Sequence, residues 1–101
     1  MVWAWRYDLR PMIDPVLQSL RSEIEAADRD LLAAFVRRVH VAARIREHKA
    51  EQGYELFDPA RERQLLNGWR KEINGTISEE TVSELFETVL RLSKRESGSA
   101  V

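Results

Sequence analysis

With 101 residues, 33% of them charged and 44% hydrophobic, the chain has the length of one domain and the means for only a modest core. A formal net charge of −1 gives no general attraction to nucleic acid, so any basic site must be local. The absence of cysteine excludes disulfides, thiolate metal sites and cysteine nucleophiles.

Residues 1–13 form an N-terminal arm ahead of the main pattern. Within it Trp3, Trp5 and Tyr7 alternate as on a short strand, with no partner strand elsewhere in the sequence. Two readings fit: a disordered or loosely packed arm whose tryptophans cover an apolar patch, or an over-extended start with Met12 as the initiator.

Residues 14–52 read as one helix, opened by Asp14 as cap with Pro15 in the first turn and closed by Gly53. At 1.5 Å per residue it is about 57 Å long. A compact chain of this size has a radius of gyration of only about 13 Å, so the helix calls for a partner chain. A heptad seam runs Leu17, Leu20, Ile24, Ala27, Leu31, Ala34, Arg38, Val41 and Ile45, apolar except at the arginine. Beside it, at seven-residue spacing, lie Arg21, Asp28, Phe35, Ala42 and Lys49. Any one of these three cations could rest its stem on the core with its head in water. Three on one interface point instead to counter-charges or a bound anion. His40 and His48, eight apart and without companion ligands, read as ordinary helix residues. The longest apolar run, residues 31–36, is too short to cross a bilayer, and with no signal-like segment a cytoplasmic location is expected.

A short connection follows Gly53, and Asp58-Pro59 repeats the cap-plus-proline signal. The second helix spans 59–73, with Leu65, Leu66, Trp69 and Ile73 as its buried face, and Asn74-Gly75 ends it. Ser78 caps a third helix with Glu79 and Glu80 in its first turn and an apolar stripe of Val82, Leu85, Phe86, Val89, Leu90 and Leu92. The pattern fades from Glu96, and 98–101 read as a disordered tail, which leaves 14–97 as the folded domain. The expected fold is all-α, with three helices per chain, paired as a homodimer through antiparallel long helices.

Asp58, Arg61 and Glu62 share one face at the start of the second helix, where a cap and a salt bridge would use the same residues. Ser93 and Ser97 share a face of the third. Arg38 and Lys49 point nearly the same way, about 16 Å apart in rise, and could close on a small anion. Arg21 is about 25 Å from Arg38 along the helix and cannot easily reach the same ligand within one chain. Pairing the helix antiparallel about its own middle puts Arg21 of one chain opposite residue 46 of the other, between Arg38 and Lys49. Two equivalent cation-lined sites per dimer follow, each built from both chains.

Over roughly residues 17–97 the sequence resembles the all-helical class of chorismate mutase, on LRSEIEAADRDLLAAFVRR, the lysine of REHKAEQG, and FDPARERQLL. The resemblance implies an intertwined homodimer of three-helix chains that rearranges chorismate to prephenate in aromatic amino acid biosynthesis, with no cofactor and no metal. It implies that Arg38 and Arg21 of the partner chain bind the two substrate carboxylates, and that Lys49 contacts a carboxylate and the ether oxygen. Asp58 would sit at the pocket mouth, Arg61 would add to the polar surroundings, Glu62 would accept from the ring hydroxyl, and Ser93 would lie near a carboxylate. Arg38, Lys49 and Glu62 are thus the expected catalytic residues. One position departs: where the family commonly has a glutamine or glutamate facing the ether oxygen, this chain has Ser97. A mutase of 4-amino-4-deoxychorismate and an isochorismate-pyruvate lyase use the same kind of pocket and stay open as alternatives. So does a non-catalytic helical dimerisation module. A pathway enzyme as a further partner is not legible in the sequence.

Overall fold

The computed structural model describes residues 8–98, and every regular element among them is a helix. In chain order these are α1 (Arg10–Ile13), α2 (Pro15–Gln52), α3 (Pro59–Ile73) and α4 (Glu79–Glu96). The alternating Trp3, Trp5 and Tyr7 lie outside the described residues, as do residues 99–101. The chain divides into two units, one up to Ala34 and one from Phe35 onward. No helix among the described residues is long and apolar enough to cross a membrane.

In the first unit, the four-residue helix α1 is an addition to the three helices expected from the sequence. Pro11 falls in its opening turn, where a missing N–H costs nothing. Just before it, the Asp8 carboxylate accepts from the Arg10 backbone N–H at 3.1 Å and from its guanidinium at 2.9 and 2.8 Å. The Arg10 guanidinium holds the Asp8 carboxyl below its ordinary pKa. Asp14 then caps α2, its Oδ1 accepting from the backbone N–H groups of Val16 and Leu17 at 2.9 and 3.1 Å. The Gln18 amide donates to the Pro11 carbonyl at 2.9 Å and ties α1 to the first turns of α2.

α2 runs for 38 residues without an internal glycine or proline beyond its first position. It stops at Gly53, whose φ of 73° lies in the left-handed region that a β-carbon disfavours. None of its residues is fully buried. Along the predicted seam Leu20, Ile24, Leu31, Val41 and Ile45 are all exposed, Leu31 at 63%.

The core of the second unit lies between α3 and α4. Asp58 caps α3, accepting from the Arg61 backbone N–H at 3.1 Å, and Asn74, left-handed at φ 47°, closes it. Ser78 caps α4, accepting from the Thr81 N–H at 3.2 Å. Arg70 meets Ser83, Trp69 meets Phe86, and Glu62 meets Lys94, so the two helices run antiparallel. Trp69 and Phe86 stack edge to face with centroids 5.1 Å apart, an arrangement worth about 0.5–1.5 kcal/mol beyond burial. Among the described residues Val82 and Phe86 are the buried apolar ones. Leu85, expected in the same stripe, is 46% exposed. At 100° per residue it sits about 60° round from Val82, on the side away from Phe86, which puts it at the edge of the packed face.

Candidate active site

Four cations converge in the second unit. α2 supplies Arg38, Arg46 and Lys49, and α4 supplies Lys94. They line a cavity of about 350 Å³ that Leu56, Phe57, Leu65 and Leu90 wall on the apolar side. Arg38 and Lys49 face it together because eleven residues make close to three helical turns.

Ser93 continues the stripe of Val82, Phe86 and Val89 at helical spacing and is 1% exposed. A hydroxyl that deep needs partners, and it has two. It donates to the Val89 carbonyl at 2.6 Å and accepts from Nη1 of Arg38 at 2.9 Å. This fixes one end of the Arg38 guanidinium and leaves its remaining N–H groups for other acceptors. Burial lowers the Arg38 pKa from arginine's ordinary value, yet an arginine stays protonated at neutral pH. Lys49 donates to the Leu56 carbonyl at a long 3.4 Å, which ties its ammonium only loosely.

The charge of Lys94 is met. Its Nζ donates to the Glu62 carboxylate at 2.7 Å and lies 5.4 Å from the centre of the Phe57 ring. No lining residue is acidic, so Arg38, Arg46 and Lys49 face the cavity without a carboxylate among them. Apolar walls with several unneutralised cations favour a small, partly apolar polyanion. Ser97 also lines the cavity, but its hydroxyl donates to the Lys94 carbonyl one turn back, at 3.2 Å.

Of the residues singled out in the sequence, Arg38, Lys49, Ser93 and Ser97 therefore meet in one cavity. Glu62 joins them at one remove through Lys94. Asp58 and Arg61 stand at the exposed start of α3, occupied by the helix cap and by an Arg61 contact to Gln64 at 3.4 Å. Arg21 is exposed on α2 in the first unit.

A family model described as chorismate mutase type II matches residues 20–97. The chain belongs to that family. It is also similar to curated relatives: 35% identical over 82 residues to a T-protein of Haemophilus influenzae and 33% over 81 residues to a T-protein of Enterobacter agglomerans. Each match covers 80% of this chain and 21% of the relative, so the chain spans about a fifth of the length of those proteins. No solved structure matches it significantly. For a type II chorismate mutase family member, two cavity residues are additions to the sequence reading. Arg46 lies four residues beyond Ala42, itself in the column beside the seam, so one more helical turn of the same pattern would have found it. Lys94 follows Ser93 directly and needs the α3–α4 register to be placed.

Proposed function

We propose that the chain is a chorismate mutase that rearranges chorismate to prephenate as a cytoplasmic, intertwined homodimer of long-helix chains. The observation that carries the reading is the cavity itself: Arg38, held by Ser93, and Lys49 face an apolar-walled space with no acidic lining, in a chain of this family. The reaction breaks a C–O bond and forms a C–C bond within one molecule. Catalysis consists of holding the compact conformer and stabilising negative charge as it grows on the ether oxygen.

In this reading Arg38 and Arg21 of a partner chain each bind one carboxylate, for which a planar guanidinium is suited. Lys49 contacts a carboxylate and the ether oxygen, where a preorganised donor contributes about 3 to 4 kcal/mol. Glu62 accepts from the ring hydroxyl, Ser93 positions Arg38 near its carboxylate, Asp58 sits at the mouth, and Arg61 and Ser97 complete the polar surroundings. The exposed seam of α2 supports the dimer, since five large aliphatic residues on one stripe are a poor surface to leave in water.

One observation favours a second reading. Ser97 is short and already donates along its own helix, which weakens its hold on an ether oxygen and keeps isochorismate-pyruvate lyase chemistry in view. Loss of chorismate absorbance on adding purified protein, with products identified by chromatography, tests both. Prephenate supports the mutase. Pyruvate from isochorismate, with chorismate untouched, overturns it.

A further inference from the structure

The proposed mechanism leaves Arg46 without a role. It lies on α2 eight residues after Arg38 and three before Lys49, and it lines the same cavity. Around the helix it stands about 80° from Arg38 and about 60° from Lys49, on the flank of the cavity-facing stripe. Its Nη1 is buried and has no hydrogen-bond partner, and no ion pair of Arg46 is present among the described residues. A guanidinium is always charged and has five N–H donors, and a buried donor left unmet is uncommon in folded proteins.

The missing acceptor could come from a ligand or from a partner chain. In the proposed antiparallel dimer the residue facing Arg46 is Arg21 of the partner chain, whose side chain has no acceptor atom. Nearby, the Glu62 carboxylate is committed to Lys94. Arg38, Arg46 and Lys49 thus place three like charges on about three turns of one helix with nothing acidic in the lining. Such a cluster is relieved by an anion seated among them.

We infer that Arg46 is a further cationic ligand of the substrate, holding a carboxylate of a dicarboxylate beside Arg38 and Lys49. The inference rests on reading the cavity as a dicarboxylate site. A carboxylate carries nearly the same charge in the ground state and the transition state, so its ligand contributes uniform binding. Loss of Arg46 appears in KM and much less in kcat.

The test uses the full chain as Arg46→Ala, with Arg46→Gln as a planar neutral replacement should the alanine variant not fold. The expected result is a KM for chorismate raised at least tenfold with kcat within threefold, and partial recovery in Arg46→Lys, which restores charge but not the fork. A KM within twofold of the parent overturns the inference. So does a raised KM that returns to normal at protein concentrations where the variant regains the parent's sedimentation, since Arg46 would then serve the interface. Calorimetric titration with prephenate separates this idea from the mutase reading. If the parent binds prephenate without turning over chorismate, and Arg46→Ala weakens that binding tenfold, the inference stands and the mutase reading falls. Parent protein that neither turns over chorismate nor binds prephenate overturns both.

Discussion

Nη1 of Arg38 on α2 donates to the hydroxyl of Ser93 on α4 at 2.9 Å, across 55 residues of sequence. That contact joins the helix carrying the cations to the helix that closes the cavity from the other side. Because Ser93 is buried, its hydroxyl cannot swing away to water, and the guanidinium is held by a fixed partner. Ser93→Ala removes the acceptor and leaves Arg38, itself half-buried, to find water instead. A hydrogen bond to a charged group is worth about 1.5–3 kcal/mol, and partial access of Arg38 to solvent puts the expected loss near the low end. Urea unfolding of the variant would measure it, and the KM for chorismate should rise several-fold as Arg38 loses its alignment.

Lys49 is anchored differently. Its ammonium donates to the Leu56 carbonyl at a long 3.4 Å, so little stability depends on that contact. Lys49→Ala should therefore fold and assemble like the parent while turnover falls about 100- to 1000-fold, the usual cost of removing one preorganised donor. Steady-state kinetics beside a far-ultraviolet thermal melt would check both halves. Near-normal turnover from the folded variant would remove Lys49 from the mechanism.

The Glu62–Lys94 ion pair is short at 2.7 Å, but its side chains are 27% and 47% exposed, so water screens much of the attraction. A double-mutant cycle with Glu62→Gln and Lys94→Met should return a coupling of about 1 kcal/mol or less. A coupling of several kcal/mol would mean that the pair is sealed from solvent in the assembled protein.

Leu31 tests the dimer. In a chain standing alone its 63% exposure would make Leu31→Glu nearly neutral, within about 0.5 kcal/mol. Across an antiparallel helix pair the same change buries a carboxylate in an apolar seam. We expect Leu31→Glu to sediment as a smaller species than the parent and to lose chorismate turnover, because each proposed site takes Arg21 from the other chain. Unchanged sedimentation and turnover would refute the seam as the interface.

The helix ends were legible because capping is local chemistry. Asp14-Pro15, Asp58-Pro59, Ser78 and Asn74-Gly75 announce themselves within four residues, and each does what its side chain or φ preference dictates. α1 was not legible, since Leu9 at its start offers no capping side chain and four residues are too few to show a helical period. Within the site, helical arithmetic was enough to bring Arg38 and Lys49 together. The contacts of Ser93 with Arg38 and of Lys94 with Glu62 depend on how separate helices pack, which spacing along one helix does not encode. Arg46 is not legible from the heptad seam because it lies off it, and the cavity is wider than the seam alone implies.

Because α2 is unbroken by glycine or proline, the angles among its three cavity cations are set by chain count alone. One residue inserted between Arg38 and Lys49 would turn one against the other by about 100° and pull them about 1.5 Å further apart. The connection after Gly53 is under no such constraint and can lengthen without disturbing either residue. Variation in length among relatives should therefore be sparse within this stretch of helix and concentrated in the connections, much as a ruler tolerates a longer handle but not an extra graduation.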